Sequence, residues 1–151
     1  MSYLSRAAGL CLIALSVALL SACATADKSP TAPSIAIAAT VQSVSWKNVP
    51  TQVISADGVD FAYRELGQDN GGTPVIFLVH LAGVMDNWDP RVVDGIAAKH
   101  HVVAFDNRGI GASTGKPADT IEKMADDAIT FIKAKGFKQV DLFGFSMGGM
   151  V

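Results

Sequence analysis

The apolar positions between Gln52 and Phe143 switch repeatedly between strand-like runs and helix-like stripes. Gln52-Val-Ile-Ser-Ala56 and Val59-Asp-Phe-Ala-Tyr63 flank Asp57-Gly58, a two-residue turn signal, so an antiparallel hairpin is expected to open the domain. Gly71-Gly72-Thr73-Pro74 then breaks the chain before Val75-Ile-Phe-Leu-Val79, a continuous apolar run that suits a strand buried on both faces. From Asp86 to Lys99, Trp88, Val92, Val93, Ile96 and Ala97 recur at helical spacing, which predicts a helix with Pro90 in its first turn. His101-Val-Val-Ala-Phe105 is the next strand, and 106–113 is a loop. Asp119 or Thr120 can cap a helix running to about Lys135. Its stripe is Ile121, Met124, Ala125, Ala128, Ile129 and Ile132, and Gly136 closes it. Gln139 to Phe143 forms the last strand. Strands alternating with helices of this length predict an α/β fold, a parallel sheet covered on both faces.

The N-terminus reads differently. Arg6 is the only charge before an apolar run from Ala7 to Leu20, too short for a comfortable membrane span and of the form of a secretory signal peptide over 1–22. The run ends in Leu20-Ser21-Ala22-Cys23, which resembles the lipobox of bacterial lipoproteins. That resemblance implies lipidation of Cys23 and a membrane-anchored protein in the bacterial periplasm. Cleavage after Ala24-Thr25-Ala26 is the rival and would leave a soluble periplasmic or secreted protein. Residues 23–41, mostly Ala, Ser, Thr and Pro, read as a flexible tether, and 42–151 as the folded part.

Composition narrows the chemistry. Half of the 151 residues are apolar, enough for one real core, and the formal net charge is −2 with no basic stripe to suggest nucleic acid. Of the two cysteines, Cys11 lies in the segment to be removed, so neither a disulfide nor a cysteine-based metal site is expected. The Asp106-x-Arg108-Gly109-x-Gly111 loop lacks the third glycine of a dinucleotide fingerprint, and Gly-x-x-x-x-Gly-Lys is absent, so no cofactor is expected. His100 and His101 read as surface or strand-entry residues. Asp86, Asp89, Asp94, Asp126 and Asp127 read as helix-face or capping acids.

Gly144-Phe145-Ser146-Met147-Gly148 follows the last strand, the sequence form of a nucleophile elbow. A strained turn that lifts a hydroxyl clear of the sheet leaves no room for side chains two residues either side, hence Gly144 and Gly148. A serine so placed points to acyl transfer, with Ser146 as nucleophile.

The hairpin, His80 after the third strand, the Asp106-x-Arg108-Gly109-x-Gly111-x-Ser113 loop and the elbow together resemble the α/β-hydrolase superfamily, in its serine-nucleophile branch. The resemblance covers the N-terminal half of that fold and implies roles for several residues. The amide of Met147 would be one oxyanion donor. The second would be Ala82, or Leu81 if the family's glycine after the histidine is deleted here, since this chain reads His80-Leu81-Ala82-Gly83. His80 would anchor that loop and not act as the base, and Asp106 or Arg108 would fix the shape of theirs. The implied substrate is a small molecule with a carboxylic ester or related acyl bond.

In that family the triad acid and histidine follow the elbow, whereas this sequence ends at Val151. Two alternatives therefore stand beside the hydrolase: a truncated, non-catalytic remnant or a partial sequence of an exported lipoprotein hydrolase, and an acyltransferase or cofactor-free haloperoxidase-like enzyme sharing the elbow.

Overall fold

A computed structural model describes residues 43–151. The signal peptide, Cys23, the tether and Gln42 lie outside the described residues.

The hairpin consists of β1 (Gln52–Ala56) and β2 (Val59–Leu66), with Ala56 opposite Val59. Its turn has positive φ at both central residues, 48° at Asp57 and 71° at Gly58, the combination that matches the twist of the flanking strands. Next come β3 (Val75–Leu78), α1 (Pro90–Ala97), β4 (Val102–Phe105), α2 (Ile121–Ala134) and β5 (Asp141–Gly144). The five strands lie in the order β1-β2-β4-β3-β5. β2 runs antiparallel to β4, and β3 is parallel to both β4 and β5.

Alternation along the strands sends side chains to two cores. On one face Ala62, Phe77, Val102 and Ala104 pack with Val93 and Ala97 of α1. On the other, Phe61, Ile76, Val103 and Phe105 pack with Ala128 and Phe131 of α2. The Phe131 ring stacks on Phe105 with centroids 4.4 Å apart. Burying a phenylalanine this completely contributes about 1.5–3 kcal/mol. β5 is the edge of the sheet among the described residues, and Leu142 and Phe143 on it are exposed.

Four expectations need correction. The helix expected over Asp86 to Lys99 is broken: a 3₁₀ turn occupies Met85–Asn87, and α1 starts only at Pro90. Proline disfavours helical backbone in the residue before it. Asp89 is accordingly extended (ψ 120°), as is Trp88 (ψ 127°), and the Asp89 carboxylate caps α1 by accepting from the Arg91 amide. Second, the buried stripe of α2 keeps Ala128, with Ile132 packed beside it, as expected, but is turned toward Asp127 and Phe131. Asp127, Ala128 and Phe131 are buried, while Ile129 is exposed.

Third, Asp94 is not a free helix-face acid. Its carboxylate accepts from the Trp46 amide and the Ser45 hydroxyl, both at 2.7 Å, and so ties the N-terminal segment to α1. The fourth is Asp127, buried against Arg108 rather than solvated. Thr120 is the cap of α2, accepting from the Lys123 amide.

Candidate active site

The C-terminal end of β5 carries the chain directly into the elbow. Phe145 is extended and its amide donates to the carbonyl of Leu78 on β3 at 3.0 Å. Ser146 then turns into the left-handed region with φ 54°, where a non-glycine residue is held against a cost of about 1–2 kcal/mol. A 3₁₀ turn over Ser146–Gly149 follows, with the Gly148 amide donating to the Phe145 carbonyl. Both glycines are sterically required. A Cβ on Gly144 would meet the Gly148 carbonyl oxygen at 2.6 Å, and one on Gly148 would meet the Leu78 carbonyl oxygen at 1.9 Å. The backbone strain and these close approaches leave Ser146 exposed above the sheet.

The loop after β3 forms a tight turn in which the Gly83 amide donates to the His80 carbonyl at 2.9 Å. Ala82, third in that turn, has φ 55°, the backbone a glycine would adopt more readily. Gly83 cannot be replaced freely, because a Cβ there would lie 2.6 Å from the Val79 side chain. His80 spends Nδ1 on the carbonyl of Leu81 at 3.0 Å, and its ring stands edge-on to Phe145. The turn bonds run through the Gly83 and Gly148 amides. Those of Leu81, Ala82 and Met147 take no part in hydrogen bonds among the described residues. Leu81, Ala82 and Met147 line one cavity of about 320 Å3.

A second loop supports this one. Asp106, buried after β4, accepts from the amides of Met85 (2.8 Å) and Ala112 (2.9 Å), joining 106–113 to the segment that follows the His80 turn. Ser113 donates to the Asp106 carbonyl and accepts from the Ala62 amide on β2. Gly111 lies so close that a Cβ would overlap the Asp106 carboxylate. From the same loop Arg108 reaches α2, its Nε 2.9 and 3.0 Å from the two Asp127 carboxylate oxygens. That hydrogen-bonded carboxylate holds the Arg108 guanidinium above its ordinary value.

The sequence did not reveal the Arg108–Asp127 pair. An acid adjoining Ala128 and one turn before Phe131 on the inward face of a helix was the available signal. His101, placed at the opposite end of the parallel strands from Ser146, bonds Glu65 through Nε2 at 3.0 Å. His100 is exposed. Among the described residues no group of three or more His, Cys, Asp or Glu is arranged to hold a metal.

Residues 73–151 match the sequence profile of the alpha/beta hydrolase fold family. The chain belongs to the α/β-hydrolase fold family. Among its relatives it is 32% identical over 108 residues to human serine hydrolase BPHL, covering 68% of this chain and 36% of that protein. It is also 32% identical over 99 residues to the bifunctional esterase/perhydrolase DCH of Acinetobacter calcoaceticus, covering 64% of this chain and 35% of that protein. An alpha/beta hydrolase fold protein from Chitinophaga pinensis superposes with TM-score 0.68 at 39% identity, over 70% of this chain and 38% of its own. The chain thus spans about a third of the length of the curated relatives it matches.

Proposed function

We infer that the protein is a serine hydrolase that cleaves a carboxylic ester or related acyl bond through an acyl-enzyme on Ser146. The observation that carries this reading is the left-handed Ser146 held at a strand-to-3₁₀ turn by glycines whose Cβ positions are blocked. Attack of Oγ on the carbonyl carbon forms a tetrahedral intermediate with negative charge on the former carbonyl oxygen. The Met147 amide is the first donor to that oxygen. Ala82, or Leu81, supplies the second from a turn fixed by His80 and Gly83. Asp106 and Arg108 act indirectly, holding the loop that backs the cavity.

A serine hydroxyl needs a base for its proton. His101 is paired with Glu65 at the far end of the sheet, and His80, with Nδ1 on the Leu81 carbonyl, is assigned the loop-anchoring role that the resemblance implies. On this reading the base and its acid partner come from protein beyond these 151 residues, in keeping with relatives about twice as long as this chain. The esterase/perhydrolase relative favours, as a second reading, acyl transfer to acceptors other than water.

The test is labelling of the natively expressed protein with a fluorophosphonate, beside a Ser146→Ala control. A labelled band that disappears in the control is expected. A stable protein that stays unlabelled would overturn the reading and leave a non-catalytic remnant.

A further inference from the structure

The cavity behind Leu81, Ala82 and Met147 extends to the first turn of α2, where Ile121 and Met124 form its wall. Every ionised side chain that borders it is already paired. Arg108 grips Asp127, and Asp119 accepts from Lys123 Nζ at 2.6 Å. Asn107 adds only a neutral amide. An ionised substituent entering this space would lose hydration without gaining a counter-charge, which is costly, whereas an alkyl or aryl group would exchange water for apolar wall. There is also room for such a group: a closed cavity of about 150 Å3 takes benzene, and this half-open one holds about 320 Å3.

We propose that this cavity receives the uncharged, apolar substituent on the substrate's carbonyl carbon, and that Met124 limits its length. The proposal rests on the reading above, because Leu81, Ala82 and Met147, whose amides are assigned to the carbonyl oxygen, line the cavity. It adds that the substrate is an ester or acyl compound of a neutral, small to medium apolar acid, selected by side chains of α2 that take no part in the chemistry.

Methionine methyl resonances test it without turnover. In the Ser146→Ala protein, with methionines labelled at the methyl carbon, ethyl butyrate is titrated against monoethyl succinate, which differs by a terminal carboxylate on the acyl side. Saturable shifts at Met124 and Met147 are expected with ethyl butyrate, while Met85, buried in the α1-side core, stays fixed. Monoethyl succinate should need at least tenfold more ligand. Met124→Trp, or independently Ile121→Trp should the first fold poorly, should raise the ethyl butyrate concentration needed to shift Met147 at least tenfold. No saturable shift at Met124, a succinate titration within tenfold, or an unaffected Met147 shift in both Trp variants would overturn the proposal. Fluorophosphonate labelling is read separately: shifts present in a protein whose Ser146 never labels would leave an apolar ligand pocket and remove the hydrolase reading, and with it the assignment of the pocket to an acyl substituent.

Discussion

Gly148 sits so close to Leu78 that a Cβ on the glycine would stand 1.9 Å from the leucine carbonyl oxygen. The same carbonyl accepts the Phe145 amide, so the backbone of β3 fixes the elbow at two points either side of Ser146. Gly148→Ala must therefore push the elbow off β3. The expected cost is about 1–3 kcal/mol in stability, the range for forcing atoms into a packed site, with loss of fluorophosphonate labelling. Urea unfolding read by tryptophan fluorescence measures the first, since Trp46 and Trp88 are buried. Unchanged stability and labelling would show that the approach is looser than the structure has it.

Ala82 is strained in the opposite sense, a side chain where none is needed. Holding alanine at φ 55° costs about 1–2 kcal/mol, against about 0.5–1 kcal/mol for the extra chain entropy of glycine. Ala82→Gly should thus stabilise the protein slightly, by about 0.5 kcal/mol, and Ala82→Val should destabilise it because branching at Cβ worsens the clash. Thermal melts of the two variants should move in opposite directions, and melts shifting together would contradict the assigned turn.

The Arg108–Asp127 pair fastens the loop after β4 to α2. Removing one partner of a fully buried pair costs about 3–5 kcal/mol. The Arg108 side chain remains 27% exposed, so Asp127→Asn should cost less, about 2 kcal/mol. Replacing both, Arg108→Met with Asp127→Leu, should recover part of that loss, because no charge is left without a partner. A double-mutant cycle from urea unfolding measures the coupling, and additive losses would mean that the pair does not hold the loop.

Much of this architecture was legible because the decisive signals are local. Asp57-Gly58 prescribes the hairpin, the run Val75 to Leu78 prescribes a buried strand, and the glycines around Ser146 record the absence of space. The misplaced pieces depend on partners distant in sequence. Asp94 looks like a solvated acid until Ser45 and Trp46 fold onto it, and Asp127 until Arg108 arrives from another loop. The rotation of α2 has the same origin, since Phe131 turns inward to stack on Phe105 and Ile129 turns out. The break before α1 could have been read from Pro90 alone, given its effect on the preceding backbone.

The lipobox-like Leu20-Ser21-Ala22-Cys23 carries the export proposal, in which Cys23 becomes a lipidated anchor. Cys23→Ala should move the protein from the membrane fraction to the soluble periplasmic or secreted fraction and abolish incorporation of labelled palmitate. A wild-type protein already soluble and unlabelled would favour cleavage after Ala26 instead.

Glu65 ties three elements together at the end of the sheet remote from Ser146. Its carboxylate meets Lys135, at the end of α2, with oxygens 3.1 and 3.2 Å from Nζ, and His101, before β4, at 3.0 Å. Burial pushes the carboxyl up, but the hydrogen bonds and charges of Lys135 and His101 together outweigh it and hold the group below its ordinary 4.5. A carboxyl depressed in the folded state binds its proton more readily when unfolded. Its contribution is therefore complete above about pH 4.5 and fades as pH falls through the lower, folded value. Lys135→Met removes the larger of the two opposing partners and brings the folded value back towards the unfolded one. Acid unfolding of the variant, followed by tryptophan fluorescence, should begin at higher pH than in the parent. Coincident acid transitions would mean that Lys135 does not stabilise the ionised carboxylate.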